Sequence, residues 1–210
     1  MSTTSIQKPK PDPGFSELSD GFFELGYIPV GIDEAGRGSL AGPVVAAAVV
    51  LPHRVLIDGV RDSKKLSPMR RNALATIIKA EALGYAFGYV DAWEIDEINI
   101  LQGTMKAMAL AVDGIKHLRG DLLALVDGNI APGLNCPVET VVRGDSVCHL
   151  IAAASILAKV ERDAYMMRIS EDYPEYGFAA HKGYGTVAHR AAIKKYGPCP
   201  IHRKSFSYGC

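Results

Sequence analysis

The 210 residues, 48% hydrophobic and 22% charged, suffice for one sizeable core and are short for two full domains. The longest apolar run, Leu40 to Leu51, is broken by Gly42 and Pro43 and falls well below the roughly 20 residues that cross a bilayer, so no membrane span is expected. Formal net charge is zero, so global electrostatics announce no nucleic-acid binder and any such contact must rest on local charge.

Residues 1 to about 26 are dominated by proline, serine and lysine without a sustained period, which predicts a flexible leader ahead of a domain over 27–210. The leader has no apolar stretch or small-residue cleavage site, so it does not read as a signal peptide and a cytoplasmic location is expected. Tyr27 to Asp33 predicts a strand ending in acids, and Pro43 to Leu51 a second, buried strand; the glycine-rich turn between them predicts antiparallel neighbours. Ser67 with Pro68 marks a helix start, and that helix runs to about Ala82 before Gly84 stops it. Tyr85 to Val90 is a third strand. Asn99 to Leu118 carries Ile100, Leu101, Met105, Met108, Val112 and Ile115 at helical spacing. Leu122 to Asp127 is a fourth strand ending in an acid, Val138 to Val142 a fifth, and Ser146 to about Ile169 and Val187 to Tyr196 are helices. The order predicts an α/β fold with a mixed sheet, antiparallel across the first three strands, parallel beyond them, and flanked by helices.

Four acids follow or end apolar strands: Asp33 and Glu34 after the first, Asp127 after the fourth, and Asp145 just past the fifth. Sites in parallel α/β units lie beyond the carboxyl ends of strands, so Asp33 and Asp127 converge if strands one and four are parallel neighbours. Clustered carboxylates repel one another, and oxygen-only donors without paired histidines favour Mg²⁺ or Mn²⁺, the ions of in-line displacement at phosphorus. Singly, Asp145 before Ser146 also reads as a helix cap and Asp127 before Gly128 as a turn residue. A glycosidase carboxylate pair also fits the acids, though it leaves the basic C-terminal end unexplained.

Gly36, Arg37 and Gly38 lead into a strand and not a helix, which defeats a dinucleotide-binding reading. Two glycines flanking an arginine let backbone amides approach a ligand while the guanidinium grips a phosphate; a plain hairpin turn is the alternative. Asp62, Ser63, Lys64 and Lys65 form a second polar cluster, either phosphate-binding or a solvated helix start. From Gly177 to Cys210 there is no Asp or Glu, while Lys182, Arg190, Lys194, Lys195, Arg203 and Lys204 are cationic with Tyr184 and Tyr196 among them; this end tracks a phosphate backbone or is a solvated face. Cys136, Cys148, Cys199 and Cys210 lack C-x-x-C spacing and read as free thiols, and the lone C-x-x-H at Cys199 and His202 makes no zinc site.

At these residues the chain resembles the ribonuclease HII family. The matching stretches are GIDEAGRGSLAGPVVAAAVVL from Gly31, DSKKLSP from Asp62, EIDEINIL from Glu94, LVDGN from Leu125, VVRGDS from Val141, AAASILAKVERD from Ala152, HKGYGT from His181 and HRKSF from His202, together spanning residues 28 to 206. The resemblance implies a ribonuclease H-like fold with a mixed five-stranded sheet, and a monomeric endonuclease of ribonucleotide excision repair acting on RNA/DNA hybrid duplexes and on ribonucleotides embedded in DNA. It implies cleavage on the 5′ side of a ribonucleotide, leaving a 3′-hydroxyl and a 5′-phosphate, with two Mg²⁺ or Mn²⁺ ions held by Asp33, Glu34, Asp127 and Asp145. Gly36, Arg37 and Gly38 match the motif that senses the 2′-hydroxyl and grips the adjoining phosphate, and Arg37 separates the chain from the sister type HIII. Tyr184 matches the tyrosine packed on the sugar at the RNA-to-DNA junction, Lys64 matches a phosphate-contacting lysine, and Ser155 and Lys159 fall in a helix near the backbone. The leader has no counterpart in the family's core pattern, and the sequence stops soon after HRKSF, short of a helical extension seen in some relatives, which predicts weaker duplex affinity. A non-catalytic duplex-binding module on the same fold is the competing reading, disfavoured because four converging acids repel phosphate.

Overall fold

The structure, a computed structural model, describes residue 15 and residues 17–60, 66–118 and 120–209. An interior strand of its sheet, β2 (Val44–Val50), has the sequence VVAAAVV and is buried at every position. A strand with no polar alternation has no face to offer water and must be covered on both sides. β1 (Ile28–Ala35) and β3 (Gly84–Val90) flank it antiparallel, while β4 (Leu122–Asp127) runs parallel to β1 and β5 (Val138–Val141) parallel to β4. The order is β3-β2-β1-β4-β5, the mixed sheet anticipated from the element sequence.

One face of the sheet packs against α5 (His149–Asp172) and α2 (Pro68–Glu81), with Ala47, Val49 and Leu125 meeting Ile151, Leu157 and Ile78. The other packs against α3 (Ala92–Asp113), where Ile32, Ala48 and Val126 meet Ala107, Met108 and Ala111. Alternation along a strand then assigns the acids: Asp33 shares its side with Ala35, and Asp127 with Leu123 and Leu125, so both belong to the α5 face. Gly31 lies on that face too, and there the helix comes down onto bare backbone: a Cβ at Gly31 would stand 2.2 Å from the Leu150 carbonyl.

Helix starts follow their caps. Ser67 Oγ accepts the Arg70 N–H at 3.3 Å with Pro68 in the first turn, as the sequence implies. The predicted start at Asn99 is instead an internal cap. Residues from Ala92 are already helical, the chain kinks at Asn99 (φ 68°), and Asn99 Oδ1 accepts the N–H groups of Leu101 and Gln102 at 3.0 and 3.1 Å. A short α4 (Gly144–Val147) precedes α5, and α5 continues past Ile169 to Asp172.

The expectation of a featureless leader over 1–26 needs correction for its second half. Glu17–Glu24 forms α1, and Phe15, Leu18 and Phe22 pack against the core under α5. Their i, i+3, i+7 spacing is a helical stripe, which the proline- and lysine-rich residues before it obscured. Residues 1–14 lie outside the described residues.

The C-terminal third folds back over the β1–β2 loop. After a 3-10 turn (Pro174–Tyr176) come α6 (Phe178–His181) and α7 (Val187–Tyr196), and single bridges join Ser39 to Tyr184 and Ala41 to His202. Leu40, Met166, Phe178 and Ile193 form the small core beneath them. Among the described residues no helix is long and apolar enough to cross a membrane.

Candidate active site

The parallel register of β1 with β4 places Ile32 beside Val126, so the next residues along, Asp33 and Asp127, leave the sheet side by side. Asp33, Glu34 and Asp127 line one open cleft of about 580 Å³, together with Gly36, Arg37, Gly38, Arg71, Ser155, Lys159 and Tyr184. Burial, then the charges of Glu34 and Asp127, push the Asp33 carboxyl well above the usual carboxylate range, against hydrogen bonds from the Ser155 hydroxyl and the Glu34 N–H, the latter at 2.7 Å. Burial also raises Glu34; Arg37, 3.7 Å away, opposes this, and Asp127 adds to it.

Asp127 ends β4 just before the bend at Gly128 and Asn129. Its Oδ1 accepts the N–H of Gly144 at 2.6 Å, tying the end of β4 to the first turn of α4. Asp145 is buried one residue further on, inside that turn and not at its cap, which is Arg143. The helix-cap reading of Asp145 therefore fails, although Asp145 does not itself line the cleft. Among the described residues no three His, Cys, Asp or Glu side chains already stand as a ligand set. The donor chemistry still fits a hard divalent cation, because oxygen acids held close enough to raise one another's proton affinity are what such an ion neutralises.

The glycine-flanked loop is supported from below by two arginines: Arg162, which the sequence reading did not single out, and Arg203, which it placed in the basic C-terminal end. Gly36 has φ +93°, and a Cβ there would fall 1.8 Å from Nε of Arg162, so only glycine closes this turn. Arg162 is fully buried and donates to the carbonyls of Pro43, Lys182 and Ala41 at 2.9, 2.9 and 3.0 Å. Arg203, also fully buried, donates to Gly42 through Nε and Nη2 at 3.0 and 2.9 Å and to Arg37 through Nη1 at 2.9 Å. Burial lowers the proton affinity of both, that of Arg203 to about 9. Neither touches a carboxylate in these contacts; backbone carbonyls fill their donor forks. A sequence signal did exist for Arg162: it shares a stripe with Ala158 and Met166, both buried, where a surface arginine has no place.

Arg37 itself is half exposed, its side chain turned to the cleft beside Glu34. The Tyr184 ring lies under Lys159 Nζ at 5.2 Å and Arg162 Cζ at 5.4 Å. Lys159 Nζ also donates to Asp163 at 2.8 Å. Ser155 is buried, lines the cleft and places its hydroxyl on Asp33, so it orients an acid. Lys64, with Asp62, Ser63 and Lys65, lies outside the described residues. The basic C-terminal end divides: Arg203 is core, Lys194 and Lys195 are exposed on α7, and Lys182 joins Arg71, Lys159 and Arg168 along a groove that continues from the cleft past Tyr184. Arg71, at 2.7 Å from the Leu66 carbonyl, is the cleft residue that sequence reasoning missed; its signal was the Arg70–Arg71 pair just after the Ser67 cap. Cys199 and His202 are a hydrogen-bonded turn, with the Cys199 N–H donated to His202 Nδ1 at 2.9 Å, and Cys136, Cys148 and Cys199 are free thiols; Cys210 lies outside the described residues.

The sequence profile of the family Ribonuclease HII matches residues 30–208. A protein named Ribonuclease HII from Bordetella avium (strain 197N) is 53% identical over 177 residues, 84% of this chain and 87% of that protein. Another of the same name from Geotalea uraniireducens (strain Rf4) is 51% identical over 207 residues, 98% of this chain and 95% of that protein. Among solved structures, the ribonuclease H2 from Pyrococcus horikoshii OT3 superposes with a TM-score of 0.69 at 27% identity, covering 86% of this chain and 94% of that one. The structure of the PCNA:RNase HII complex from Archaeoglobus fulgidus contains a chain matched with a TM-score of 0.71 at 28% identity over 86% of this chain and 95% of that one.

Proposed function

The chain belongs to the ribonuclease HII family and is a ribonuclease H enzyme, and from that premise we propose that it hydrolyses the RNA strand of RNA/DNA hybrids and cuts on the 5′ side of ribonucleotides embedded in duplex DNA, leaving 3′-hydroxyl and 5′-phosphate ends. The observation that carries this reading is the meeting of Asp33, Glu34 and Asp127 with Gly36–Gly38 and Tyr184 on one cleft. Acids alone would repel a nucleic acid; acids beside a glycine-flanked loop, a half-exposed arginine and a cation-flanked ring can hold one phosphate over a hydrolytic centre.

In this reading Asp33, Glu34, Asp127 and Asp145 hold two divalent cations, Mg²⁺ or Mn²⁺. When bound, such ions supply an activated water and charge neutralisation at the leaving oxygen. The chain's own groups do the rest. Arg37 reaches the phosphate next to the scissile one, and the Gly36–Gly38 backbone, without side chains in the way, reads the 2′-hydroxyl. Tyr184 packs its ring on the sugar at the RNA-to-DNA junction, Lys159 brings positive charge beside that ring, and Ser155 keeps Asp33 aimed into the cleft. Lys64 is proposed as a further phosphate contact. The protein acts as a monomer in the cytoplasm in this reading.

The test is an end-labelled duplex carrying one ribonucleotide, incubated with the protein with and without Mn²⁺ and mapped at nucleotide resolution. A single cut 5′ of the ribonucleotide, dependent on the ion and absent from the all-DNA duplex, is expected. Cleavage of all-DNA duplex at the same rate overturns the proposal.

A further inference from the structure

Directly behind Tyr184 three histidines pack among Tyr176 and Phe178, and none of them lines the catalytic cleft. Their partners assign their protons. His202 Nδ1 takes the Cys199 N–H at 2.9 Å, its shortest contact, ahead of the Cys199 Sγ at 3.0 Å and the Cys199 carbonyl at 3.3 Å, which favours its own proton on Nε2, 3.1 Å from Nε2 of His189. His189 Nδ1 lies 3.0 Å from the carbonyl of Tyr184, which can only accept, so Nδ1 carries the proton and Nε2 receives the one from His202. With these protons a chain of donors runs from the Cys199 N–H through His202 and His189 to the Tyr184 carbonyl. His181 stacks on His189 at 4.4 Å and is itself fixed, giving its Nε2 proton to the Tyr176 carbonyl at 2.8 Å and accepting the Gly183 N–H at 3.3 Å. Burial lowers the proton affinity of all three, that of His189 to about 4. A second proton on His189 would meet the His202 proton head on.

The backbone this chain ends on is the one that carries the Tyr184 ring. The Tyr184 N–H donates to the backbone carbonyl of His181 at 2.9 Å, and its carbonyl takes the Thr186 N–H at 2.8 Å as well as the His189 proton. The neighbouring Gly183 carbonyl accepts the Leu40 N–H at 2.8 Å, which couples the same turn to the glycine-flanked loop. Lys159 Nζ and Arg162 Cζ stand over the ring at 5.2 and 5.4 Å.

We propose that His189, with its tautomer set by His202, is a positioning residue for cleavage: its Nδ1–H anchors the Tyr184 carbonyl and so fixes where the Tyr184 ring stands over the scissile junction. The proposal rests on the reading of Tyr184 given above. Two isosteric substitutions separate anchoring from packing. The Asn side chain can place an N–H where Nδ1 was and keep the contact to Tyr184, whereas Gln can reach the Nε2 position toward His202 but not Tyr184.

Single-turnover cleavage of the one-ribonucleotide duplex is measured for His189→Asn, His189→Gln, Tyr184→Ala and the double variant Tyr184→Ala/His189→Gln, with duplex affinity alongside. We expect His189→Asn to stay within about threefold of the parent, and His189→Gln to lose about tenfold or more in rate with duplex affinity changed by less than about threefold. Adding His189→Gln to Tyr184→Ala is expected to cost nothing further. Equal losses for Asn and Gln, or none for either, overturn the His189 proposal. Tyr184→Ala cutting as fast as the parent overturns the Tyr184 reading itself, and the two failures are thereby told apart. Should His189→Gln not fold, ¹H–¹⁵N spectra of the parent protein read the tautomers directly: protons on Nδ1 of His189 and Nε2 of His202 are expected, and the reverse pair refutes the anchoring chain.

Discussion

Replacing Arg162 by Met tests whether a buried cation holds the cleft together. The substitution roughly keeps length and volume, but removes the donors now given to the Pro43, Lys182 and Ala41 carbonyls at 2.9 to 3.0 Å. A buried acceptor left without its donor costs about 1–3 kcal/mol, so three sum to about 3–9 kcal/mol. Part of this returns because the core no longer holds a desolvated charge, the same burial that depresses the proton affinity of Arg162. A net loss of about 2–4 kcal/mol is expected from urea unfolding monitored by circular dichroism. Arg162→Lys keeps the charge and loses the planar fork, so one ammonium cannot serve three diverging carbonyls and the variant should recover less than half the loss. Cleavage should fall with stability in Arg162→Met, because two of the carbonyls belong to the β1–β2 loop and the third precedes Gly183. A loss under about 1 kcal/mol for Arg162→Met would refute the argument that this arginine is the loop's support.

Gly36→Ala should cost about 1–3 kcal/mol for its left-handed backbone and about as much again for the clash with Arg162, read by the same denaturation and by loss of cleavage; near-parent stability would contradict the φ of +93°. Asp127→Asn keeps a carbonyl oxygen for the Gly144 N–H while removing charge, so the fold should persist as cleavage drops by several kcal/mol of barrier, on the order of 10³-fold, and near-normal turnover at saturating Mg²⁺ counts against its assignment. His149, buried and accepting the Ile57 N–H at 3.0 Å, has its proton affinity lowered by burial from 6.5 to about 4. The unfolded chain therefore takes up the proton first, so stability present above about pH 6.5 is lost as pH falls toward 4, by on the order of 3 kcal/mol in all. His149→Gln should flatten that acid limb relative to the parent, and parallel limbs would show that His149 is not its source.

Much of the scaffold was legible in the chain because it rests on local rules. VVAAAVV between two turns can only be a central strand, Ser67–Pro68 can only begin a helix, and acids at the ends of apolar strands must gather where parallel neighbours finish; Asp33 and Asp127 do so because strand alternation turns both to the α5 face. The motif stretches marked the cleft residues, since the backbone freedom of Gly36 and the charge of Arg37 are properties of single residues. Pairings distant in sequence were not legible. Nothing local shows that Ser155 will spend its hydroxyl on Asp33, or that Arg203 will bury its guanidinium 161 positions away on Gly42. A cationic end read as a phosphate-tracking face is the clearest instance: charge is written in the sequence, but whether the Arg203 guanidinium faces solvent or the Gly42 and Arg37 carbonyls is decided by which backbone groups the fold leaves without donors, and only the tertiary structure determines that.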